Sequence, residues 1–153
     1  MKTIQKFLFA VLVASSFVSF GQIDPIDKNK IAIGGYDLVA YFTDKAAVKG
    51  KKEFTHEING VKYQFASAQH RDSFQKSPEK YLPVCDGYCA WGVAEKETKF
   101  SINPEAFKVI DGKLYLFFNG DFNGKNFNTL QEWNKAEPAL LSKLPANWSK
   151  IKK

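Results

Sequence analysis

The side chains of this sequence that are suited to binding a metal ion are two cysteines, Cys85 and Cys89, and two histidines, His56 and His70. Thiolates and imidazoles are the ligands that soft or borderline ions such as Cu(I) and Zn(II) prefer. Because Cys85 and Cys89 are four residues apart, on a helix they would project from one face and could share an ion. The sequence therefore predicts a copper or zinc site on these four residues, with Cys85, Cys89 and His70 as its main ligands.

The same residues allow other roles. The two cysteines could form a disulfide, although four residues of helical spacing make its geometry awkward. They could also be small buried hydrophobic residues, or serve a minor thiol redox role. His56 could be a hydrogen-bonded core histidine rather than a ligand. These alternatives stay open from the sequence.

Catalytic patterns are weak throughout the chain. Ser67 precedes a helix without the pattern of a nucleophile elbow, and no third residue is indicated that would orient a Cys89–His70 pair. No haem-attachment motif or phosphate-binding loop is present, so no organic cofactor is expected. Asp37 could serve a site through its carboxylate, although a turn or helix cap is the commoner role of such a residue. We therefore expect a binding protein rather than an enzyme.

His56 lies on a predicted hairpin. Asn59-Gly60 is a strong signal for a two-residue turn, and it is flanked by strand-like segments over Glu53–Ile58 and Val61–Ala66. A two-residue turn fixes the register, which pairs Glu57 with Lys62, His56 with Tyr63 and Phe54 with Phe65. The register predicts that His56 lies on the core face and that Glu57 and Lys62 face solvent.

The remaining elements complete an α+β fold. Ser67 is placed to cap a helix over Ala68–Lys76, which carries His70. A second hairpin is predicted over Phe107–Ile110 and Lys113–Phe118, around the turn Asp111-Gly112. Two further helical segments are predicted towards the C-terminus, Leu130–Ala136 and Ala139–Leu144. Pro138 and Pro145 are expected to break the helices, and Trp133 and Trp148 are expected to pack them against the domain. The expected fold class is α+β, with two β-hairpins and short interleaved helices.

Several stretches of the chain resemble the YHS domain family, in particular an exported bacterial branch of it. They are Gly35–Phe42, Tyr63–Phe74, the Ser-Pro-Glu-Lys-Tyr sequence of Ser77–Tyr81, Gly87–Ala90 and the tail around Asn147-Trp148. The resemblance covers most of residues 22–153 and implies a YHS-like domain. Many members of this family and of the related TRASH-type domains are thought to bind transition metals through cysteines. The cysteine positions of their usual motif are Ala66 and His70 here, so the resemblance implies only His70 as a replacement ligand.

The N-terminus has the features of a secretory signal peptide. A basic start precedes an apolar run over Phe7–Phe20, and the small residues Ser19 and Gly21 fit the cleavage site. We therefore expect a signal peptide over residues 1–21 and a single domain over residues 22–153. That domain is expected to be periplasmic or secreted, with no stable membrane span after cleavage.

Composition limits the partners of this domain. The 153 residues carry a formal net charge of +6, but the lysines are scattered and Arg71 is the single arginine, so nucleic-acid binding is not expected. Aromatic residues make up 15% of the chain, which is ample for a core. If no metal is bound, the aromatic surface predicts an accessory module that contacts a protein or a small molecule.

Overall fold

The computed structural model describes residues 26–152, so the predicted signal peptide lies outside the described residues. This part of the chain contains four α-helices and three antiparallel two-stranded sheets, which confirms the α+β class. The helices are α1 (Ala40–Thr43), α2 (Ala68–Lys76), α3 (Ala90–Lys96) and α4 (Thr129–Ile151). The strands are β1 (Lys51–Ile58), β2 (Val61–Phe65), β3 (Asn103–Ile110), β4 (Lys113–Phe117), β5 (Asn119–Phe122) and β6 (Lys125–Asn128). Short 3-10 turns occupy Ile33–Gly35, Pro78–Lys80 and Val84–Gly87.

The hairpin β1–β2 has the predicted register near its turn. His56 pairs with Tyr63 and Glu57 with Lys62, as expected from the Asn59-Gly60 turn. The predicted pairing of Phe54 with Phe65 is wrong, because a bulge places Lys51 opposite Phe65. The Thr55 hydroxyl donates to the Lys52 carbonyl at 2.7 Å within this bulge. A bulge inserts unpaired residues into one strand, which turn chemistry alone does not reveal.

The hairpin β3–β4 also follows its predicted register, with Val109 opposite Leu114. Both faces of β4 are buried. Leu114 and Leu116 face a core that includes Phe65 and Phe74, which we call the first core. The alternate residues of β4 face a second core, which contains Cys85, Ala90, Val93, Ala94, Ala106, Tyr115, Phe117, Trp133, Leu140 and Leu144. Alternation of side chains along a strand is what lets one strand serve two cores.

The hairpin β5–β6 was not among the two predicted. Its turn, Asn123-Gly124, has positive φ at both residues (56° and 77°), as a two-residue turn of this kind requires. The register pairs Gly120 with Phe127 and Phe122 with Lys125. Phe122, Lys125 and Phe127 therefore lie on one face of this hairpin.

The helix α2 begins and ends as predicted. The Ser67 hydroxyl accepts a hydrogen bond from the backbone N–H of His70 at 3.2 Å, which is the expected N-cap contact. The helix ends at Lys76, directly before Ser77-Pro78. Its single fully buried side chain, Phe74, lies in the first core. His70 lies one helical turn before Phe74 on the same helix.

The C-terminal helix α4 differs from its prediction at one of two prolines. A break does occur before Pro138, where Ala136 leaves helical geometry (φ −142°, ψ 27°). The predicted break at Pro145 is wrong, because α4 continues through it to Ile151. Contacts beyond the proline hold this half of α4 against α3, and one of them is the Asn147 side-chain amide, which donates to the Ala94 carbonyl at 2.9 Å. Trp133 is fully buried and Trp148 is partly buried, as expected. Among residues 26–152, no helix has both the length and the apolar composition needed to cross a bilayer.

Candidate functional site

The two cysteines do not share a helix face. Cys85 lies in the 3-10 turn Val84–Gly87, where Cys85 and Asp86 both have positive φ (55° and 49°). Cys89 follows this turn as the N-cap residue of α3. The helical spacing expected for this pair is therefore wrong, because the chain passes through left-handed residues between the two thiols. Both cysteines are free and buried.

The contacts of Cys89 are those of a structural residue. Its sulfur lies 3.2 Å from the Thr129 hydroxyl oxygen and accepts a hydrogen bond from the Phe118 N–H at 3.4 Å. The Thr129 hydroxyl in turn donates to the Phe118 carbonyl at 3.0 Å. These bonds join the start of α3, the segment after β4 and the start of α4.

The Cys85 thiol is held in its protonated form. Burial, with smaller contributions from the neighbouring Asp86 and Cys89, raises its pKa to about 12. The thiolate is the form that binds metals and acts as a nucleophile. At neutral pH, Cys85 is therefore a buried thiol of low reactivity.

His70 forms a side-chain contact with Asp37 that the spacing of residues did not reveal. Its Nδ1 lies 2.7 Å from Oδ2 of Asp37, whose side chain is completely buried. The imidazole retains 17% exposure, and its Nε2 lies 3.5 Å from the Thr43 hydroxyl. The carboxylate thus holds the ring in one orientation and leaves Nε2 on the outer side, near Thr43.

Asp37 also has the capping role that was the commoner expectation. Its Oδ1 accepts hydrogen bonds from the N–H groups of Val39 (2.8 Å) and Ala40 (3.2 Å) at the start of α1. Its Oδ2 accepts a further bond from the Ala66 N–H at 2.8 Å. The capping role was visible from local sequence, whereas the contact with His70 depends on how β2 and α2 pack against α1.

His56 lies on β1 and is half-buried. Its ring meets that of Phe74 edge to face, with 6.3 Å between the centroids. Both histidines therefore lie beside the first core, whereas Cys85 lies in the second. Within residues 26–152, no group of three or more His, Cys, Asp or Glu residues is arranged to hold a metal ion. Metal binding by Cys85, Cys89, His70 and His56 stays a prediction.

A larger feature of the structure is a cavity of about 790 Å³ between α3, the loop that follows it and the hairpin β5–β6. We call it the aromatic cavity. It is lined by Trp91, Lys96, Lys99, Phe100, Ser101, Phe118, Phe122, Lys125, Asn126 and Phe127. Sites for small molecules are typically clefts of roughly 300–1,000 Å³ lined by apolar and aromatic side chains. The aromatic cavity has the size and lining of such a site.

The rings of the aromatic cavity contact one another across two elements. Trp91 of α3 and Phe127 of β6 meet edge to face, with centroids 5.4 Å apart, and Phe122 lies 6.1 Å from Phe127. Phe100 packs directly over Gly92, where a Cβ atom would come within 2.7 Å of the ring. The Cys89 N–H also donates to the Phe100 carbonyl at 3.1 Å, which fixes the loop after α3.

The sequence did not single out this cavity, because its wall β5–β6 was not predicted. The signal was nevertheless present in Asn123-Gly124, a dipeptide of the same type as Asn59-Gly60. Juxtaposition of Trp91 with Phe127 has no comparable local signal.

No family model, curated protein or solved structure matches this chain.

Proposed function

We propose that this protein is an exported binding module of the YHS type, whose ligand is a small, largely apolar molecule held in the aromatic cavity. The observation that carries this proposal is the cavity itself, with its volume of about 790 Å³ and its wall of aromatic rings. The expected signal peptide supports a location in the periplasm or outside the cell. Binding rather than catalysis agrees with the weak catalytic patterns of the sequence.

Exposure of Phe122 supports a ligand at this place. Its side chain is 54% exposed, whereas the rings of the two cores are covered. Complete burial of a Phe side chain contributes roughly 1.5–3 kcal/mol. A ligand that covers Phe122 and the neighbouring Phe127 gains part of this free energy without any rearrangement of the fold.

The test is a fluorescence titration of the protein with the neutral probe N-phenyl-1-naphthylamine. We expect saturable binding of one probe molecule. The variant Phe122→Ser should weaken it about tenfold, which corresponds to ~1.4 kcal/mol. Because Phe122 is largely exposed, this variant should keep its fold, and circular dichroism checks that it does.

Phe54→Ser is the matched control, since Phe54 is a partly buried ring that packs against the first core. It should bind the probe as the wild type does. Unsaturable enhancement of fluorescence, or equal affinity of Phe122→Ser and the wild type, would contradict the proposal.

A second candidate function is binding of a copper or zinc ion, and the Asp37–His70 contact favours it. Metal-binding histidines commonly bond their second ring nitrogen to a carboxylate, which fixes the ring for coordination. Nε2 of His70 would then be a ligand, with Cys85, Cys89 and His56 as the other predicted ligands. Coordination by Cys85 requires loss of its proton, and the raised pKa of that thiol opposes this step.

Competition titration with Cu(I) and Zn(II), with thiols kept reduced, tests this second function. We expect uptake of one ion by the wild type and weaker uptake by Cys85→Ser, Cys89→Ser and His70→Ala. Affinity should fall as the pH is lowered, because protons compete for sulfur and imidazole. Equal and weak uptake by all four proteins would eliminate the metal site.

A further inference from the structure

All the charged side chains that line the aromatic cavity are positive. Lys96, Lys99 and Lys125 line it, together with apolar rings, Ser101 and Asn126, and the lining contains no carboxylate. Lys96 ends α3, Lys99 lies in the loop after it, and Lys125 begins β6 on the opposite wall. Lysine residues thus line the cavity on both the α3 side and the β6 side.

The acidic residues nearest in sequence to Lys96 and Lys99 are directed elsewhere. Glu95 lies 3.4 Å from the Lys143 ammonium, and Glu97 lies 2.8 Å from the Lys150 ammonium, so both pair with α4. Among the ion pairs of residues 26–152, none involves a lysine of the cavity. The three lysines therefore give the lining of the cavity a positive charge.

Two of the lysines are also held against aromatic rings. The Lys96 ammonium lies 5.4 Å from the centre of the Trp91 ring. The Lys99 ammonium lies 5.1 Å from the Tyr88 ring and 5.6 Å from the Trp148 ring. The Trp91 ring lines the cavity, so its contact keeps the Lys96 ammonium close to the apolar lining, where an anion interacts with it more strongly than in bulk water. The two rings under the Lys99 ammonium lie outside the lining.

From this charge distribution we infer that the ligand of the aromatic cavity is a single-chain amphipathic carboxylate. Its apolar body packs on Trp91, Phe122 and Phe127, and its carboxylate is held by the lysines at the rim. This inference rests on the proposed function and adds the chemical class of the ligand. A single hydrocarbon chain fits into a concave site, whereas a protein that binds a bilayer surface lies on it with a flat amphipathic face. The concave shape of the cavity therefore favours a free single-chain ligand.

The test compares decanoate with 1-decanol, which has the same chain length and no charge. Isothermal titration calorimetry at low salt should give an affinity for decanoate at least tenfold higher than for the alcohol. The preference should shrink as salt is added, because these charges are at a solvent-accessible rim. The triple variant Lys96→Gln/Lys99→Gln/Lys125→Gln should lose the preference and still bind the neutral probe.

The control variant removes the same charge at exposed positions outside the cavity, Lys62→Gln/Lys76→Gln/Lys113→Gln, and should keep the preference for decanoate. Equal affinities for decanoate and decanol would overturn the inference while leaving the proposed function intact. If decanoate, decanol and the neutral probe all failed to bind, both the inference and the proposed function would be overturned. Co-sedimentation with phosphatidylglycerol vesicles without binding of free decanoate would overturn the inference in favour of a membrane surface.

Discussion

At the scale of single residues, Asp37 joins the start of the adjacent helix α1 to the distant segment that contains Ala66 and His70. Its carboxylate is completely buried and accepts bonds from the start of α1, from Ala66 after β2 and from His70 of α2. A buried carboxylate is costly unless its oxygens are hydrogen-bonded, and here both oxygens are. The residue therefore has a structural role whether or not His70 binds a ligand.

Substitution of Asp37 by Asn should destabilise the protein by about 2–3 kcal/mol. The amide nitrogen would face backbone donors in either placement, the Val39 and Ala40 N–H groups at the Oδ1 position or the Ala66 N–H at the Oδ2 position, and buried groups would lose their partner. Urea unfolding measures the loss. Asp27→Asn is the matched control, because Asp27 accepts two backbone bonds in an exposed turn and should lose much less stability. Equal losses in the two variants would show that Asp37 has no special role.

At the scale of elements, the turn of β1–β2 depends on one glycine. Gly60 has φ +78°, and a Cβ atom built there would meet no atom within 4 Å. Any cost of a side chain at this position therefore comes from backbone conformation and not from a clash.

Gly60→Val should reduce the free energy of unfolding on the order of 1–2 kcal/mol, because a β-branched residue resists positive φ. Thermal or urea unfolding gives the value. Gly60→Asn should cost less, since Asn enters the left-handed region more readily. If the Val and Asn variants were equally stable, backbone strain would not explain why this turn needs Gly60.

Local signals account for the elements that the sequence predicted well. Asn59-Gly60 sets the pairing of His56 with Tyr63, and Ser67 caps α2, because each effect acts within a few residues. The bulge at Lys51 and the left-handed turn at Cys85 have no such local cause, and so they were missed. The aromatic cavity was missed for two reasons. Its wall β5–β6 was not predicted despite the local signal of Asn123-Gly124, and Trp91 and Phe127 meet only in the folded chain.

At the scale of the whole molecule, β4 connects the two cores. Leu116 and Phe117 are adjacent in sequence and fully buried, and they point into the first and the second core respectively. The aromatic cavity lies beside the second core, next to α3 and the segment after β4. Trp91 of the cavity wall packs against the second core, which preorganises this part of the wall for a ligand.

The proposed function requires that a small apolar ligand occupies the aromatic cavity. The most direct measurement is of intermolecular nuclear Overhauser effects in the complex with N-phenyl-1-naphthylamine. We predict contacts between the probe and the ring protons of Trp91, Phe122 and Phe127. Contacts with rings that pack against the first core, such as Tyr36 and Phe42, or a complex without contacts to the cavity rings, would contradict this placement of the ligand.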